Sequence, residues 1–435
     1  MKKQLLLLLI MFLPLVTMAD AIEIDGIYYI LISKGDSKGA EVTKSPYYNK
    51  YKGIIEIPET IVFDGESYQV TSIGGEAFSG CKGLSVVKIP PSVISIGKLA
   101  FYDCSSLKVI NIPRSVNLIG ENAFRWCKNL ERVDITDLES WCNITFPPQY
   151  YLESNPLFYA QHLYMNDEEI KDLIIPNTIT TIKPFAFVGC SGLSSLTIHQ
   201  DVTSIGYSAF AYCSGISSLY IPDGVITIGN YAFEHCSSVN DIRLPSCLES
   251  IGEFTFYACQ NLKSIIWPSK LLCIGKAAFG DCSKLQTIAI PEQVTTIEEN
   301  AFSNCSSMTS VKIGKKIRSI GEKSFGFCQQ ITDVYCNALD VPATHIDAFA
   351  SSYIEYAKLH VPEEAIGAYK LSTPWKNFKE VVVLTEQNLD VGSVMGYDKD
   401  EVALYTTGGQ RIIRQTKGLN IVKKSDGTTM KVVVK

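Results

Sequence analysis

Hydrophobic residues recur along most of the chain with a period of 23 residues. The period is clearest in ten phenylalanines, each followed three residues later by a cysteine: Phe78, Phe101, Phe124, Phe187, Phe210, Phe233, Phe256, Phe279, Phe302 and Phe325. Self-similarity at a fixed spacing is typical of repeat proteins, because one coil cannot bury its apolar edge alone and must stack on its neighbours. The pattern therefore predicts a solenoid whose core consists of ladders of equivalent side chains.

One unit, residues 216–236, illustrates the elements of each coil. Leu219 and Ile221 alternate with polar or exposed neighbours, which is typical of a half-buried β-strand. Val225 and Ile228 form a second, shorter extended segment. With about a dozen coils at roughly 4.8 Å per strand, the sequence predicts a rod or arc about 55 Å long with one continuous parallel sheet.

The second half of the unit predicts a corner and a turn. Gly229 ends the second extended segment, and glycine suits a corner where φ needs to be positive. Eight of the ten units keep this glycine, whereas Lys183 and Glu298 replace it in the other two. The segment Ala232–Cys236 has the spacing of one helical turn, with the phenylalanine filling the interior.

These residues carry a family resemblance. The pattern L-x-x-I-x-I-P-x-x-V-x-x-I-G-x-x-A-F-x-x-C, over roughly residues 54–383, resembles the BspA-like branch of the leucine-rich repeats, found in bacterial and protozoan surface proteins. The resemblance implies a right-handed, β-rich coil with a parallel sheet, short helical turns and β caps. It also implies adhesion or host interaction, because members of the family are known as cell-surface adhesion and host-protein-binding molecules.

The amino terminus resembles a secretory signal peptide. Lys2 and Lys3 precede an apolar run over residues 5–16, and the small residues Ala19 and Ala21 suit cleavage after Ala21. The run is shorter than the ~20 residues that a transmembrane helix needs. No other apolar stretch approaches that length. The sequence predicts a protein that is secreted or held at the outer surface of a bacterium, with no membrane span after signal removal.

Breaks in the period divide the chain into segments. Between Phe124 and Phe187, 63 residues replace the usual 23. Within this break, Asn166-Asp167 predicts a hairpin between residues 163–165 and 173–175. The predicted organisation is a signal peptide (1–21), an N-terminal β cap with a first irregular coil (22–71), regular repeats (72–137), degenerate repeats or an insertion (138–170), regular repeats with a C-terminal cap (171–383), and a small β tail (384–435).

The tail has two interpretations. Its short apolar segments, such as residues 402–405 and 418–422, resemble the C-terminal sorting domain of type IX secretion, which delivers proteins to the cell surface and is then often removed. The alternative is an ordinary β-domain that shields the end of the solenoid.

Charge and cysteine spacing exclude some functions. The net charge is −6 and no Lys/Arg cluster in the body of the chain exceeds two residues, which argues against a nucleic-acid partner. The cysteine ladder permits two readings in an exported protein, a disulfide framework or reduced, buried packing residues. We favour the reduced form, because the position lies next to the buried phenylalanine. The 22-residue gaps lack the short spacing of zinc sites.

No catalytic motif is present, and the five histidines occupy unrelated repeat positions. The sequence therefore predicts no enzyme, no cofactor and no metal site, with an unrecognised hydrolase as a less favoured alternative.

The outward positions of the first strand predict a binding surface for an extracellular protein or glycan. Tyr220, Arg243 and Ile266 lie on successive coils, with Trp267 adjacent, and Tyr and Arg are enriched at binding hot spots. Lys312 and Tyr335 occupy the same position on later coils. The alternative is a structural role in the cell envelope. The oligomeric state is left open.

Overall fold

The predicted repeat solenoid is confirmed. The computed structural model describes residues 21–34, 37–47, 50–147 and 152–385, and the strand residues 401–406, 411–412, 418–424 and 429–434. The chain forms about 13 coils with parallel sheets and few helices. The predicted signal peptide lies outside the described residues, apart from Ala21.

The Leu-x-Ile segments form one side of the solenoid, which we call sheet 1. Its strands pair parallel to the equivalent strand one coil away, so Leu219 lies opposite Ile242 and Ile242 opposite Ile265. Pairing runs in four consecutive groups: Gly53–Glu56, Leu84–Lys88, Val109–Ile112, Arg132–Ile135 and Leu163–Met165; Asp172–Ile174 and Ser195–Thr197; Ser218–Tyr220, Asp241–Arg243 and Ser264–Ile266; Thr287–Ala289, Ser310–Ile313, Asp333–Cys336, Lys358–Val361 and Glu380–Val383.

The second extended segments form sheet 2, whose strands are two residues long. They too pair parallel from coil to coil. The strands are Ser95–Ile96 and Leu118–Ile119; Thr181–Ile182, Ser204–Ile205 and Thr227–Ile228; Ser250–Ile251, Cys273–Ile274, Thr296–Ile297, Ser319–Ile320 and Ala343–Thr344.

The amino-terminal end of the stack is covered by a β structure that continues sheet 2. Ile27–Lys34 and Ser37–Thr43 form an antiparallel pair, and Ser37–Thr43 pairs parallel to Glu66–Ile73. Glu66–Ile73 in turn pairs parallel to the first regular strand of sheet 2. The two remaining strands, Ile22–Ile24 and Thr60–Phe63, add antiparallel to this structure.

The repeated phenylalanines are fully buried and stack on one another along the third side of the coils. Neighbouring rings lie 5.1 to 5.6 Å apart and within 13° of parallel, in one stack from Phe78 to Phe124 and another from Phe187 to Phe349. Because each ring is covered by the rings before and after it, the core forms between coils, as the sequence predicts.

The segment around each phenylalanine, which we call the turn face, is a series of tight turns. Tyr231 and His235, two residues on either side of Phe233, have φ of 62° and 57°. These left-handed residues interrupt any helix, so the predicted helical spacing produces turns instead. Tyr231, Phe233 and His235 each donate a backbone N–H to the next coil, at 3.0, 2.9 and 2.8 Å. The turn face is therefore hydrogen-bonded from coil to coil like the two sheets.

Glycine recurs at the corner of the coils for a different reason from the one that the sequence predicted. The positive-φ glycines among the described residues are Gly26, Gly53, Gly65, Gly80 and Gly189, and none occupies the corner. A Cβ on the corner residue Gly229 would instead lie 2.6 Å from the backbone nitrogen of Tyr207. Close approach of neighbouring coils, and not an unusual φ, therefore favours glycine there.

The break in the period is built into the stack. Helix Leu138–Cys142 buries Trp141, whose Nε1 donates to the carbonyl of Ala186 at 3.0 Å. The 3₁₀ turn Leu152–Ser154 and the helix Leu157–Ala160 follow. The predicted hairpin forms with a different second strand, because Leu163–Met165 pairs antiparallel with Glu168–Glu169. Asp172–Ile174 pairs parallel to the next coil instead.

The carboxyl-terminal end of the stack is closed by helical elements. Trp375 is buried and packs against Phe349 at 5.6 Å, and Phe378 packs on the same ring at 5.3 Å. The elements are the 3₁₀ turns Ile354–Tyr356, Glu363–Ala365 and Trp375–Asn377, and the helix Ile366–Leu371.

Four strands in the tail form an antiparallel sheet of their own. They are Glu401–Thr406, Arg411–Ile412, Gly418–Lys424 and Thr429–Val434. Residues 402–405 and 418–422, on which the resemblance to a sorting domain depends, lie in these strands, and both interpretations of the tail stay predictions.

Candidate binding surface

Three of the predicted site residues lie side by side on sheet 1. Tyr220 is opposite Arg243, and Arg243 is opposite Ile266, in the parallel register. The Arg243 guanidinium lies 4.9 Å from the centre of the Tyr220 ring, which is a cation–π contact. All three side chains are partly exposed.

An aspartate on the preceding coil fixes the arginine. Nη2 of Arg243 donates to Oδ2 of Asp223 at 2.9 Å, and the backbone N–H of Ser246 donates to Oδ1 at 2.7 Å. Burial opposes ionisation of Asp223, but the hydrogen bonds from Ser246 and Arg243 outweigh it and lower the pKa of the carboxyl. The aspartate therefore stays charged and holds the guanidinium against the tyrosine ring.

Trp267, beside Ile266, faces the core in large part. Its ring contacts Phe279 of the phenylalanine stack edge to face, with 5.4 Å between ring centres. It is only partly exposed, so its main contribution is packing.

The last two predicted residues form a separate region of the sheet. Lys312 lies opposite Ala289 on one side and Tyr335 on the other, in a later group of strands. Tyr335 is buried, and its ring stacks on His360 at 4.3 Å. Nε2 of His360 lies 2.8 Å from Oδ1 of Asp333. The structure brings Tyr220, Arg243 and Ile266 together, and it covers one face of Tyr335.

A second surface was missed by the sequence reasoning. Half-buried aromatic rings occupy positions next to the repeated phenylalanines on the turn face, where the period leaves the residue type free. They touch one another across coils, for example Tyr212 and His235 at 4.7 Å. The sequence could have indicated this surface by its excess of aromatic residues at these variable positions over residues 207–257.

The model of the BspA type leucine rich repeat region, with six copies, matches residues 58–151, 160–271 and 249–372. The chain belongs to the BspA-type leucine-rich repeat family. No curated protein sequence is similar enough to this leucine-rich repeat protein to count as a match.

Solved leucine-rich repeat structures share the fold. A leucine-rich repeat protein from Bacteroides ovatus is 23% identical, with a TM-score of 0.52 over 83% of this chain and 100% of that one. A leucine rich cell surface protein from Faecalibacterium prausnitzii is 21% identical, with a TM-score of 0.51 over 87% and 98%. The pneumococcal vaccine antigen PcpA is 17% identical, with a TM-score of 0.51 over 84% and 99%.

The repeat cysteines of this family member are buried, unpaired thiols. All fourteen cysteines of the chain are free. Eight of the ten ladder thiols lie near the phenylalanine carbonyl of the preceding coil, for example Cys236 Sγ at 3.3 Å from Phe210 O and Cys259 Sγ at 3.4 Å from Phe233 O. Burial raises the pKa of Cys259 to about 12. The ladder is therefore arranged for packing, in agreement with the reduced alternative.

The described residues include neither a metal-binding cluster nor a membrane-spanning helix. Within the described part of the chain, no group of three or more His, Cys, Asp or Glu side chains is placed to hold a metal ion. Across the same residues, no helix has the length and apolar character needed to cross a membrane.

Proposed function

We propose that this BspA-type leucine-rich repeat protein is exported to the surface or surroundings of a bacterium, where it binds an extracellular protein or glycan through sheet 1. Binding alone is its activity, without catalysis or a cofactor. The observation that carries the proposal is the Arg243 guanidinium, held between the Tyr220 ring and the Asp223 carboxylate on the outer side of the sheet.

The arrangement suits binding because it is ordered before a partner arrives. The guanidinium keeps one ion pair and one ring contact, and the strands beneath it are fixed by pairing on both sides. A side chain that is already immobilised loses little conformational entropy when it meets a partner. Tyr and Arg in such a setting are typical of binding hot spots.

Export is supported by the amino-terminal sequence. The basic start, the apolar run over residues 5–16 and the small residues before Ile22 fit a cleaved signal peptide. The tail adds the proposal of type IX sorting. Intact-mass measurement of the secreted protein tests both, because the proposals require a new amino terminus at Ile22 and a carboxyl terminus before about residue 390, whereas an ordinary β-domain stays attached.

The covered ends favour individual binding molecules over an envelope built by end-to-end stacking. The first coil is covered by the strands of residues 22–73, and the last by Trp375 and Phe378. Because the hydrophobic ladders are already buried at both ends, the stack offers no exposed terminal coil on which a second copy could pack.

Capture of host matrix proteins and glycans by the purified chain tests the sheet-1 site. The triple variant Tyr220→Ala, Arg243→Ala, Ile266→Ala is expected to reduce capture at least ten-fold with the melting temperature little changed, because all three side chains are partly exposed. Ile226→Ala with Leu272→Ala is the matched control, since both residues are exposed beside sheet 2. Equal capture by the triple variant and the control would place the site on another face.

A further inference from the structure

The turn face carries a continuous row of aromatic side chains, which we call the aromatic belt. Its members are drawn from five different coils and from the break in the period. In order along the solenoid they are Tyr102, Trp126, Tyr159, Phe158, Tyr212, His235 and Tyr257. Ring centres of neighbouring members lie between 4.7 and 6.0 Å apart, apart from one junction. At that junction the Trp126 backbone N–H donates to the Tyr159 hydroxyl at 3.1 Å.

The break in the period completes the belt. Helix Leu157–Ala160 places Phe158 beside Tyr212, with ring centres 6.0 Å apart although the residues are 54 positions apart in sequence. Without this helix, the rings of the first repeats and those of the later repeats would be separate patches.

A groove lies at the centre of the belt. It is lined by aromatic rings and by side chains that carry amides or hydroxyls, chiefly Phe158, Gln161, Tyr212, Ser214, His235 and Gln260. Among the described residues that line it, none carries a carboxylate, an ammonium or a guanidinium group. Amides and hydroxyls both donate and accept hydrogen bonds, so the lining matches a ligand whose groups do the same.

The rings of the groove, and the Tyr257 ring beside it, differ in orientation. Tyr212 and His235 are stacked within 13°, and their faces cover each other. Phe158 is turned by 81° from Tyr212, and Tyr257 by 81° from His235. The faces of these two outer rings therefore point across the axis of the solenoid. The groove therefore has the ring of Phe158 at one end, ring edges and polar groups along its length, and the Tyr257 ring of the belt beside its other end.

We propose that this groove binds a neutral, extended polysaccharide. A sugar ring offers an apolar face to an aromatic ring and a rim of hydroxyls to amide and hydroxyl side chains, which is the combination present here. An uncharged lining favours a neutral sugar over a sulfated or uronic one, because it offers no cation to an anionic group. The belt follows the solenoid from coil to coil, so several sugar units can lie along it.

This site is separate from the sheet-1 site and goes beyond the proposed function. The two experiments are independent, because the sheet-1 triple variant keeps every residue of the groove and is expected to bind saccharide normally.

Isothermal titration calorimetry of the full chain with cellohexaose, xylohexaose, chitohexaose and maltohexaose tests the proposal. We expect at least one of the β-linked hexasaccharides to bind, and the double variant Tyr212→Asn, His235→Asn to weaken that binding at least ten-fold. Asparagine suits these positions because Tyr212 and His235 have φ of 64° and 57°, and asparagine tolerates left-handed backbone. A second variant, Gln161→Asn with Gln260→Ala, leaves the rings in place and is also expected to weaken binding.

Phe327→Asn is the matched control. Phe327 has the same repeat position, a φ of 58° and an exposed ring, but it lies four coils from His235, outside the groove. We expect this variant to bind like the unaltered protein. Absence of binding by all four sugars at millimolar concentration, or equal binding by the double variant, would overturn the proposal. The proposal would also be overturned if the double variant captured less protein but bound the saccharides as strongly as the unaltered chain.

Discussion

At the scale of single residues, the ladder cysteines show how a reactive side chain becomes part of a core. Each ladder thiol is buried, and eight of the ten lie within hydrogen-bonding distance of a phenylalanine carbonyl on the preceding coil. Burial disfavours the thiolate, which is the form that reacts. These cysteines can therefore stay reduced, because they are inaccessible to oxidants.

Thiol labelling tests this interpretation. With iodoacetamide at about pH 8, we expect modification of the folded protein only at Cys247 and Cys273, which are half-exposed, with Cys247 reacting first. Burial, followed by the nearby Glu298 carboxylate, raises the pKa of Cys273 to about 11 and slows its reaction. In denaturant all fourteen cysteines react. Peptide mass spectrometry identifies the sites, and early modification of Cys236 or a disulfide within the ladder would contradict this interpretation.

Glu234 is a second residue whose chemistry is set by burial. Removal from water raises the pKa of its carboxyl to about 7. Because the folded pKa lies above the unfolded one, protonation stabilises the fold below about pH 4.5, and this contribution is lost as the pH rises through 7. Ionised Glu234 therefore weakens the folded state at higher pH.

The variant Glu234→Gln checks the sign of this effect. At about pH 8 it should unfold with a free energy about 2 kcal/mol higher than the unaltered protein, since one pKa unit corresponds to about 1.4 kcal/mol and the site is not fully buried. The difference should shrink towards pH 5. Burial lowers the pKa of the adjacent His235, but this histidine is present in both proteins. Chemical denaturation at several pH values measures the difference, and a gap that widens at low pH would refute the assignment.

At the scale of elements, the phenylalanine stack is the main source of cohesion between coils. Phe256 is fully buried between Phe233 and Phe279, at 5.6 and 5.3 Å. Phe256→Ala should lower the free energy of unfolding by about 3–5 kcal/mol, because it leaves a cavity with rings on both sides. Phe327→Ala, at an exposed position, should change it by less than about 0.5 kcal/mol. Urea titrations measure both values, and an equal loss of unfolding free energy in the two variants would show that the phenylalanine stack is not the main source of cohesion.

The elements also show which features the sequence could predict. Leu219 and Ile228 indicated the two strands and Phe233 the buried ring, because the period of these residues reports burial directly. The turn conformation was not predicted, since positive φ at Tyr231 and His235 depends on backbone bonds to the next coil. The prediction of a positive φ at Gly229 was wrong for the same reason. Glycine is favoured there by the close backbone of Tyr207, which lies on another coil.

The candidate surfaces were predicted to different extents. The adjacency of Tyr220, Arg243 and Ile266 follows from the repeat period alone, but the role of Asp223 in holding the arginine needed the structure. The aromatic belt could not be deduced, because Phe158 reaches Tyr212 only through the irregular segment, where the period gives no register.

At the scale of the whole molecule, the stack of coils is one-dimensional, and each coil depends on its neighbours. The phenylalanine stack is split between Phe124 and Phe187, and the irregular segment joins the two parts. The backbone N–H of Phe124 donates to Glu153 O at 3.2 Å, and the side chain of Asn155 donates to Phe185 O at 2.8 Å. The two parts of the stack are therefore connected by polar contacts and by Trp141, whereas the regular coils are connected by stacked phenylalanine rings.

The left-handed residues of the turn face restrict how the molecule can diversify. Ten positions two residues before a repeated phenylalanine and ten positions two residues after it have positive φ, and none is Val, Ile or Thr. Branching at Cβ is unfavourable in that backbone conformation, whereas aromatic, amide, acidic and small residues are accommodated. Selection for a new ligand can therefore exchange rings, amides and charges on this face freely, while substitutions to β-branched residues are removed because they impair folding.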